Sequence, residues 1–288
     1  MTLQAWIYRL FLVLSWGLRA LPRGLVLRMA DGFAACAWAA YRLTPHREFI
    51  AGNVRAAGLP TDVAYLSVRN LARGIAEILR FPELGPIRYE GWDNVEAAQA
   101  EGQGIIIATM HFGNWELLGG ALAARGLPLH VLVQPPSQDA FGRLFLEFRR
   151  KVGVTTHANS GAASLRPVLR ALARNEALGL LADQHGEAQD AIVTLFDHPV
   201  SAPTGPVFFA RRTGAAILPT FIVRQPDHSH VVHVLPRLVP SGDAQADMQQ
   251  LYATYETFIR ANPDHWLWVH DRWAREHELR PVRTLVAV

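Results

Sequence analysis

The stretch from Gly104 to Met110, GIIIATM, carries no charge and no polar residue except one threonine. A strand that reads as a continuous apolar run belongs inside a sheet covered on both faces, not at a wetted surface. Runs of similar texture recur at residues 87–90, 129–134, 154–157, 177–182, 192–196, 216–224 and 230–238. Helical patterns at 115–125, 140–151, 164–175, 203–212 and 244–261 lie between them. That alternation predicts an α/β fold: a mixed, mostly parallel central sheet with helices on both faces. Residues 3–80 instead read as helical throughout, with an Ala-rich periodic segment at 25–43 and a cap-like Thr-Asp pair opening 61–79. No repeat, low-complexity tract or Pro/Ser linker divides the chain. It reads as an N-terminal helical region, 1–86, and an α/β domain, 87–288, forming one structural unit.

Half of the 288 residues are hydrophobic and 18% are charged, enough apolar material for a large core and too little charge for a disordered polymer. The net charge of +3 hides an asymmetry: residues 1–88 hold 11 basic and 5 acidic side chains, and 89–288 hold 17 and 20. Lys151 is the only lysine, which excludes a P-loop or Schiff-base lysine elsewhere. One cysteine, Cys36, excludes an internal disulfide and any CxxC site, and among Ala34, Ala35 and Ala37 it reads as helix packing. The best N-terminal candidate for a membrane span, LFLVLSWGL at 10–18, is bounded by Arg9 and Arg19 and falls well short of the roughly 20 residues needed. With Trp6, Phe11 and Trp16 among arginines 9, 19, 23 and 28, the segment suits a helix lying in a membrane interface. A helical pair packed on the protein's own core is the alternative.

The chemistry-bearing block is HFGNWE, His111 to Glu116, directly after the buried strand. In open α/β sheets, functional groups gather where strands end and helices begin. With His111 on the turn before a helix, Glu116 in the first helical turn could reach back to the imidazole, fix its tautomer and stabilise the imidazolium. Glu116 could equally serve only the helix N-terminus. GxSxG, GxxxxGK[ST], GxGxxG and HExxH are all missing, which removes the signatures of serine hydrolases, P-loop proteins, Rossmann domains and zincins. His228, His230 and His233 could ligate a metal but follow Pro226-Asp227 and read better as a turn entering a strand. Without an aromatic-interleaved basic patch in the β-rich part, nucleic acid is not an expected partner.

Four ordered blocks carry a resemblance. These are HFGNWE at 111–116, GLLADQ at 179–184, Pro203-Thr204-Gly205 through Thr213-Gly214 to Pro219, and NPDHWLWVHDRW at 262–273. Together they resemble the late acyltransferases of lipid A biosynthesis, the lauroyl/myristoyl type of the lysophospholipid acyltransferase superfamily. The resemblance implies a membrane-associated enzyme on the cytoplasmic face of a bacterial inner membrane. It would move an acyl chain from acyl carrier protein, or less often coenzyme A, onto a hydroxyl of a lipid A precursor. His111 would be the general base and Glu116 its support, with no cofactor, no metal and no covalent acyl-enzyme. Backbone amides near Gly113 and Asn114 are candidate oxyanion donors. Asn114, Arg149, Arg150, Asp183 and Gln184 form the implied substrate-contacting set. Arg149 and Arg150 could instead be a solvated helix end, and Asp183 and Gln184 could merely terminate a strand.

Three departures bear on the acceptor. The chain has Gln134-Pro135 where many relatives carry Arg-Pro, His185 where they carry Asp, and Asp271 where a basic residue is common. Each removes or reverses a charge that could face an anionic headgroup. Another glycolipid or an aminolipid is therefore the alternative acceptor, and a hydrolase on the same fold is the alternative activity.

Overall fold

A computed structural model describes residues 3–133, 140–159, 161–184 and 191–273. Its centre is a seven-stranded sheet of β1 (Ile87–Glu90), β2 (Ile105–Thr109), β3 (Leu129–Val133), β4 (Thr155–Ala158), β5 (Ala177–Leu181), β8 (Ala216–Arg224) and β9 (His230–Val234). The spatial order is β1-β9-β8-β2-β5-β3-β4. Every neighbouring pair is parallel except β8 with β9, which a turn at residues 225–229 joins as a hairpin. The mixed, mostly parallel sheet is as the sequence predicts.

β2 lies in the middle of the sheet, and Ile105, Ile106 and Ile107 are at most 1% exposed. Burying each such side chain is worth roughly 1.5–3 kcal/mol, which is why the uncharged run occupies the centre. Gly104 begins it at φ +80, where a Cβ would meet the Leu172 carbonyl oxygen at 2.7 Å.

Helices cover both faces. On one lie α3 (Phe49–Ala56), α8 (Ala162–Ala173), α9 (Gly205–Thr213) and α10 (Ala244–Ala261), with the last tryptophans closing the core. The other carries α1 (Leu3–Ala20), α2 (Arg23–Tyr41), α4 (Val63–Ile78), α6 (Trp115–Ala124) and α7 (Ala140–Lys151). Residues 3–80 are thus four helices rather than one unbroken helical stretch, with breaks at 21–22, 42–48 and 57–62.

Several elements differ from the sequence reading. α5 (Trp92–Ala100) has only a weak apolar face and was not expected. The expected strand near 192–196 exists as β6 (Ala191–Leu195), but it leaves the main sheet and pairs with an unexpected β7 (His198–Ala202). Their two-residue loop, Phe196-Asp197, has both φ positive at 52° and 63°. This is a hairpin turn usually marked by Asn-Gly or Asp-Gly, so the sequence lacked the signal. β9 stops at Val234, four residues short: Leu235 still donates to the Pro219 carbonyl, but Pro219 has no N–H to return the bond. Cys36 is exposed and not packed: Ala30 and Ala34 hold the inward stripe of α2, which turns Cys36 outward.

In α1, Leu18 and Ser15 face inward, and Ser15 donates to the Leu79 carbonyl at 2.5 Å. Trp6, Leu10, Val13 and Leu14 lie 43–67% exposed on the other side, and Trp16 is 70% exposed. On α2 the exposed apolar residues are Leu25, Met29 and Phe33, spaced by one helical turn. Among the described residues, no helix is long and apolar enough to cross a membrane.

Candidate active site

β2 and β5 run side by side with Thr109 opposite Leu181. Two residues beyond that pair the same register brings His111 beside Asp183. The ladder continues past the strand ends through Ala182 N–H to Thr109 O at 3.0 Å. Two buried tyrosines pin this end: Tyr255 OH donates to Thr109 O at 2.9 Å and Tyr252 OH to Ala182 O at 2.7 Å.

The carboxylate that holds His111 therefore comes from a neighbouring strand. His111 Nδ1 lies 2.8 Å from Asp183 Oδ1, the His111 amide donates to Oδ2 at 3.0 Å, and the Trp266 indole donates to the same oxygen at 2.9 Å. A carboxylate only accepts, so Nδ1 carries the proton and the Nε2 lone pair is left for proton abstraction. Burial pushes the imidazole pKa down, but the charges of Asp183 and Glu116 outweigh it, and the net shift is upward from 6.5. Burial likewise pushes the Asp183 carboxyl up, and His111 with the Trp266 bond reverses this to a net lowering. The His111 ring also meets Trp115 edge-on, centroids 5.1 Å apart.

Glu116 does not make the contact its spacing suggested. Its carboxylate is gripped in bidentate fashion by Arg149, Nε to Oε2 at 2.8 Å and Nη2 to Oε1 at 2.5 Å. The first turn of α6 directs Glu116 across to α7, so it influences His111 through space only. Arg149 is accordingly part of this buried pair and not a solvated helix end, whereas the next residue, Arg150, is exposed.

The remaining expected site residues divide. Asn114 is 3% exposed and fully engaged: its oxygen caps α6 by accepting the Leu117 amide at 3.0 Å, and its Nδ2 donates to Glu77 Oε2 and the Gly74 carbonyl. Its side chain therefore builds the turn from inside. Of the backbone amides expected near here, that of Gly113 is committed to the His265 carbonyl at 2.8 Å. Gly113 itself sits at φ +60 against the Ile222 carbonyl, where a Cβ would approach to 2.2 Å. Gln184 is partly buried beside Asp183. Gln134, Pro135 and His185 lie outside the described residues. His228 sits in the β8–β9 turn with φ 65°, and His230 begins β9, as the sequence suggested.

Beside the pair a pocket lies between α6 and the sheet face formed by β2, β5 and β3. Its walls are Ile107, Leu118, Leu122, Leu129, Val131 and Val154, and Trp115, Glu116 and Arg149 contribute its polar edge. Two glycines keep it open. A Cβ on Gly179 would come within 3.3 Å of Val131, and one on Gly119 within 3.4 Å of Val154. Trp115 also lines a smaller cleft with Leu71, Gly113, Trp266 and Trp268. Through Trp115 the polarised histidine adjoins the hydrocarbon-lined pocket, an arrangement that can deprotonate a hydroxyl next to a bound apolar chain.

Trp266, Tyr252 and Tyr255 escaped the sequence reading as site-building residues. Trp266 stood in a quoted block, but its indole contact depends on a fold-back of more than 80 residues that no local pattern encodes.

Comparison with known proteins places nearly the whole chain. The sequence profile described as "Bacterial lipid A biosynthesis acyltransferase" matches residues 1–275. The chain is 26% identical over 230 residues to a phosphatidylinositol mannoside acyltransferase of Mycobacterium tuberculosis (strain ATCC 25618 / H37Rv), covering 75% of this chain and 72% of that protein. It is 27% identical over 198 residues to the lipid A biosynthesis palmitoleoyltransferase of Escherichia coli (strain K12), covering 67% and 62%. A lipid A biosynthesis acyltransferase of Haemophilus influenzae is 22% identical over 181 residues, covering 62% and 56%.

Proposed function

The chain belongs to the bacterial lipid A biosynthesis acyltransferase family and is an acyltransferase, and on that premise we propose that it transfers a fatty acyl chain from an acyl thioester to a hydroxyl of a glycolipid. His111 is the base. Its Nε2 takes the acceptor's hydroxyl proton as the oxygen attacks the thioester carbonyl. The tetrahedral intermediate collapses with departure of the thiolate, which is protonated, so no acyl-enzyme forms. Asp183 fixes the tautomer and supports the imidazolium, and Glu116 adds its charge from a distance. The observation that carries this reading is the Nδ1–Asp183 bond, which leaves the opposite nitrogen basic.

The pocket beneath α6 takes the donor's acyl chain, and acyl carrier protein is the donor we favour. Arg149 and Arg150, at the end of α7, and Gln184, beside Asp183, are the residues proposed to meet polar parts of the substrates. A lipid A precursor is the acceptor we propose first. The match to a mannoside acyltransferase over three quarters of the chain supports a second glycolipid, one with a sugar hydroxyl and a different headgroup. Lipid mass spectrometry of cells with and without the protein tests the proposal. One glycolipid should gain a single acyl chain when the protein is present, and unchanged glycolipids would contradict it. In cells carrying Gly119→Leu, the added chain should be shorter, because Gly119 lines the pocket and a larger side chain there takes up part of it.

The enzyme works at the cytoplasmic face of the inner membrane in this reading, held there by the exposed faces of α1 and α2. Apolar burial in the headgroup region and attraction of the exposed Arg9 and Arg28 to anionic lipid supply the binding. Changing Trp6, Leu10 and Val13 to Glu leaves the inward face of α1 intact and should move the protein to the soluble fraction. Full retention on membranes at high salt would assign the anchor elsewhere.

A further inference from the structure

The helix that carries part of the exposed apolar face also reaches the catalytic turn from behind. Arg23, the first residue of α2, places Nη2 2.9 Å from Glu77 Oε1, and Arg224 Nη1 donates to the same oxygen. Glu77 is 4% exposed, near the end of α4. Its second oxygen accepts from Asn114 Nδ2 at 3.0 Å, and Asn114 caps α6 three residues after His111. Arg224 grips the same turn from another side. Its amide donates to His265 Nε2 at 3.1 Å, and the His265 carbonyl accepts the Gly113 amide. His230, 3.5 Å from Glu77, stays neutral, its pKa pushed down to about 3 by burial and the two arginines against the pull of Glu77.

A buried carboxylate between guanidinium groups is a poor source of stability, since apolar residues of similar volume often do as well. Such a cluster contributes definite placement. The cap of α6 needs only the side-chain oxygen of residue 114, which serine or aspartate supplies as well as asparagine. An amide nitrogen is needed there only to reach α4, through Glu77 and the Gly74 carbonyl.

We propose that Arg23 and Glu77 are positioning residues for acyl transfer: acting through Asn114 they fix the turn bearing His111, and α2 is thereby a working part of the active site as well as a membrane-facing helix. This rests on the reading of His111 as the base.

The test measures kcat, KM and Tm for full-length Asn114→Ser, Arg23→Gln, their double variant and Arg23→Lys, with His111→Ala alongside. The assay uses a palmitoyl thioester and a glycolipid that the wild-type protein acylates. Serine keeps the cap and loses the tether, leaving Glu77 Oε2 and the Gly74 carbonyl one donor short, so Tm should fall by only a few degrees. A small displacement of a reacting group can cost up to about 100-fold, and a partial loosening here should lower kcat roughly tenfold at unchanged KM. Arg23→Gln should do the same and Arg23→Lys should restore most of the rate. The double variant should be no slower than the worse single, because the three residues act in series. Wild-type kcat in both singles, or losses that multiply in the double, would overturn the proposal. Transfer surviving in His111→Ala would instead overturn the reading of the base on which it rests.

Discussion

His111→Ala should reduce acyl transfer by about 10²–10⁴-fold, the usual contribution of a positioned general base. The fold should survive, because the amide of residue 111 and the Trp266 indole still bond Asp183. The native protein's pH dependence follows from the raised imidazole pKa. Only the neutral ring can accept a proton, so kcat/KM should rise with pH along a limb centred above 6.5. Stability runs the other way. A group whose pKa is higher folded than unfolded stabilises the protein below 6.5, and that contribution fades as pH climbs through the folded value. The optimum for catalysis should therefore lie on the alkaline side of the His111 contribution to stability, and parallel pH–rate and pH–Tm profiles would show the two moving in opposite directions.

Asp183→Asn should be nearly as damaging, at about 10²–10³-fold, for a different reason. The amide is almost isosteric, but turning its NH₂ toward Nδ1 forces the ring proton onto Nε2, where the base must be. The charge that raises the His111 pKa is also removed, so whatever activity remains should show its limb shifted to lower pH. Glu116→Gln keeps the Asp183 contact and loses only a charge at a distance. Its limb should shift in the same direction but less, and its rate should fall less. Kinetic profiles of both variants check the order. A larger loss in Glu116→Gln than in Asp183→Asn would return the supporting role to Glu116.

Much of the fold was legible because its signals are local. The uncharged Gly104–Met110 run announced a central strand, and helices α6, α7 and α10 lie within two residues at each end of the expected helical segments. The β6–β7 hairpin was not legible as a separate sheet, since Phe196-Asp197 lacks the usual turn residues. The site divided in the same way. His111 stood out from its place after a buried strand, and Asp183 entered through the GLLADQ block of the resemblance, as a substrate-contacting residue and not as the partner of His111. That the two meet depends on β5, and not β3, lying next to β2, a crossover that only the three-dimensional order reveals. Glu116 was misdirected by proximity in sequence: five residues away it seemed the natural partner of the imidazole, while the helix pointed it at Arg149. Asn114 entered only through the resemblance, as a substrate-contacting residue, because nothing in the sequence announced the carboxylate of Glu77 behind it.

Product analysis of the purified protein tests the central claim most directly. Wild-type enzyme and His111→Ala are given an acyl thioester with and without a glycolipid acceptor, and acylated lipid and free fatty acid are quantified by mass spectrometry. The account predicts acylated glycolipid from the wild type, in an amount matching the thiol released, with almost none from His111→Ala and little thiol released when the acceptor is omitted. Free fatty acid formed at the same rate with or without acceptor would make the protein a hydrolase and contradict it.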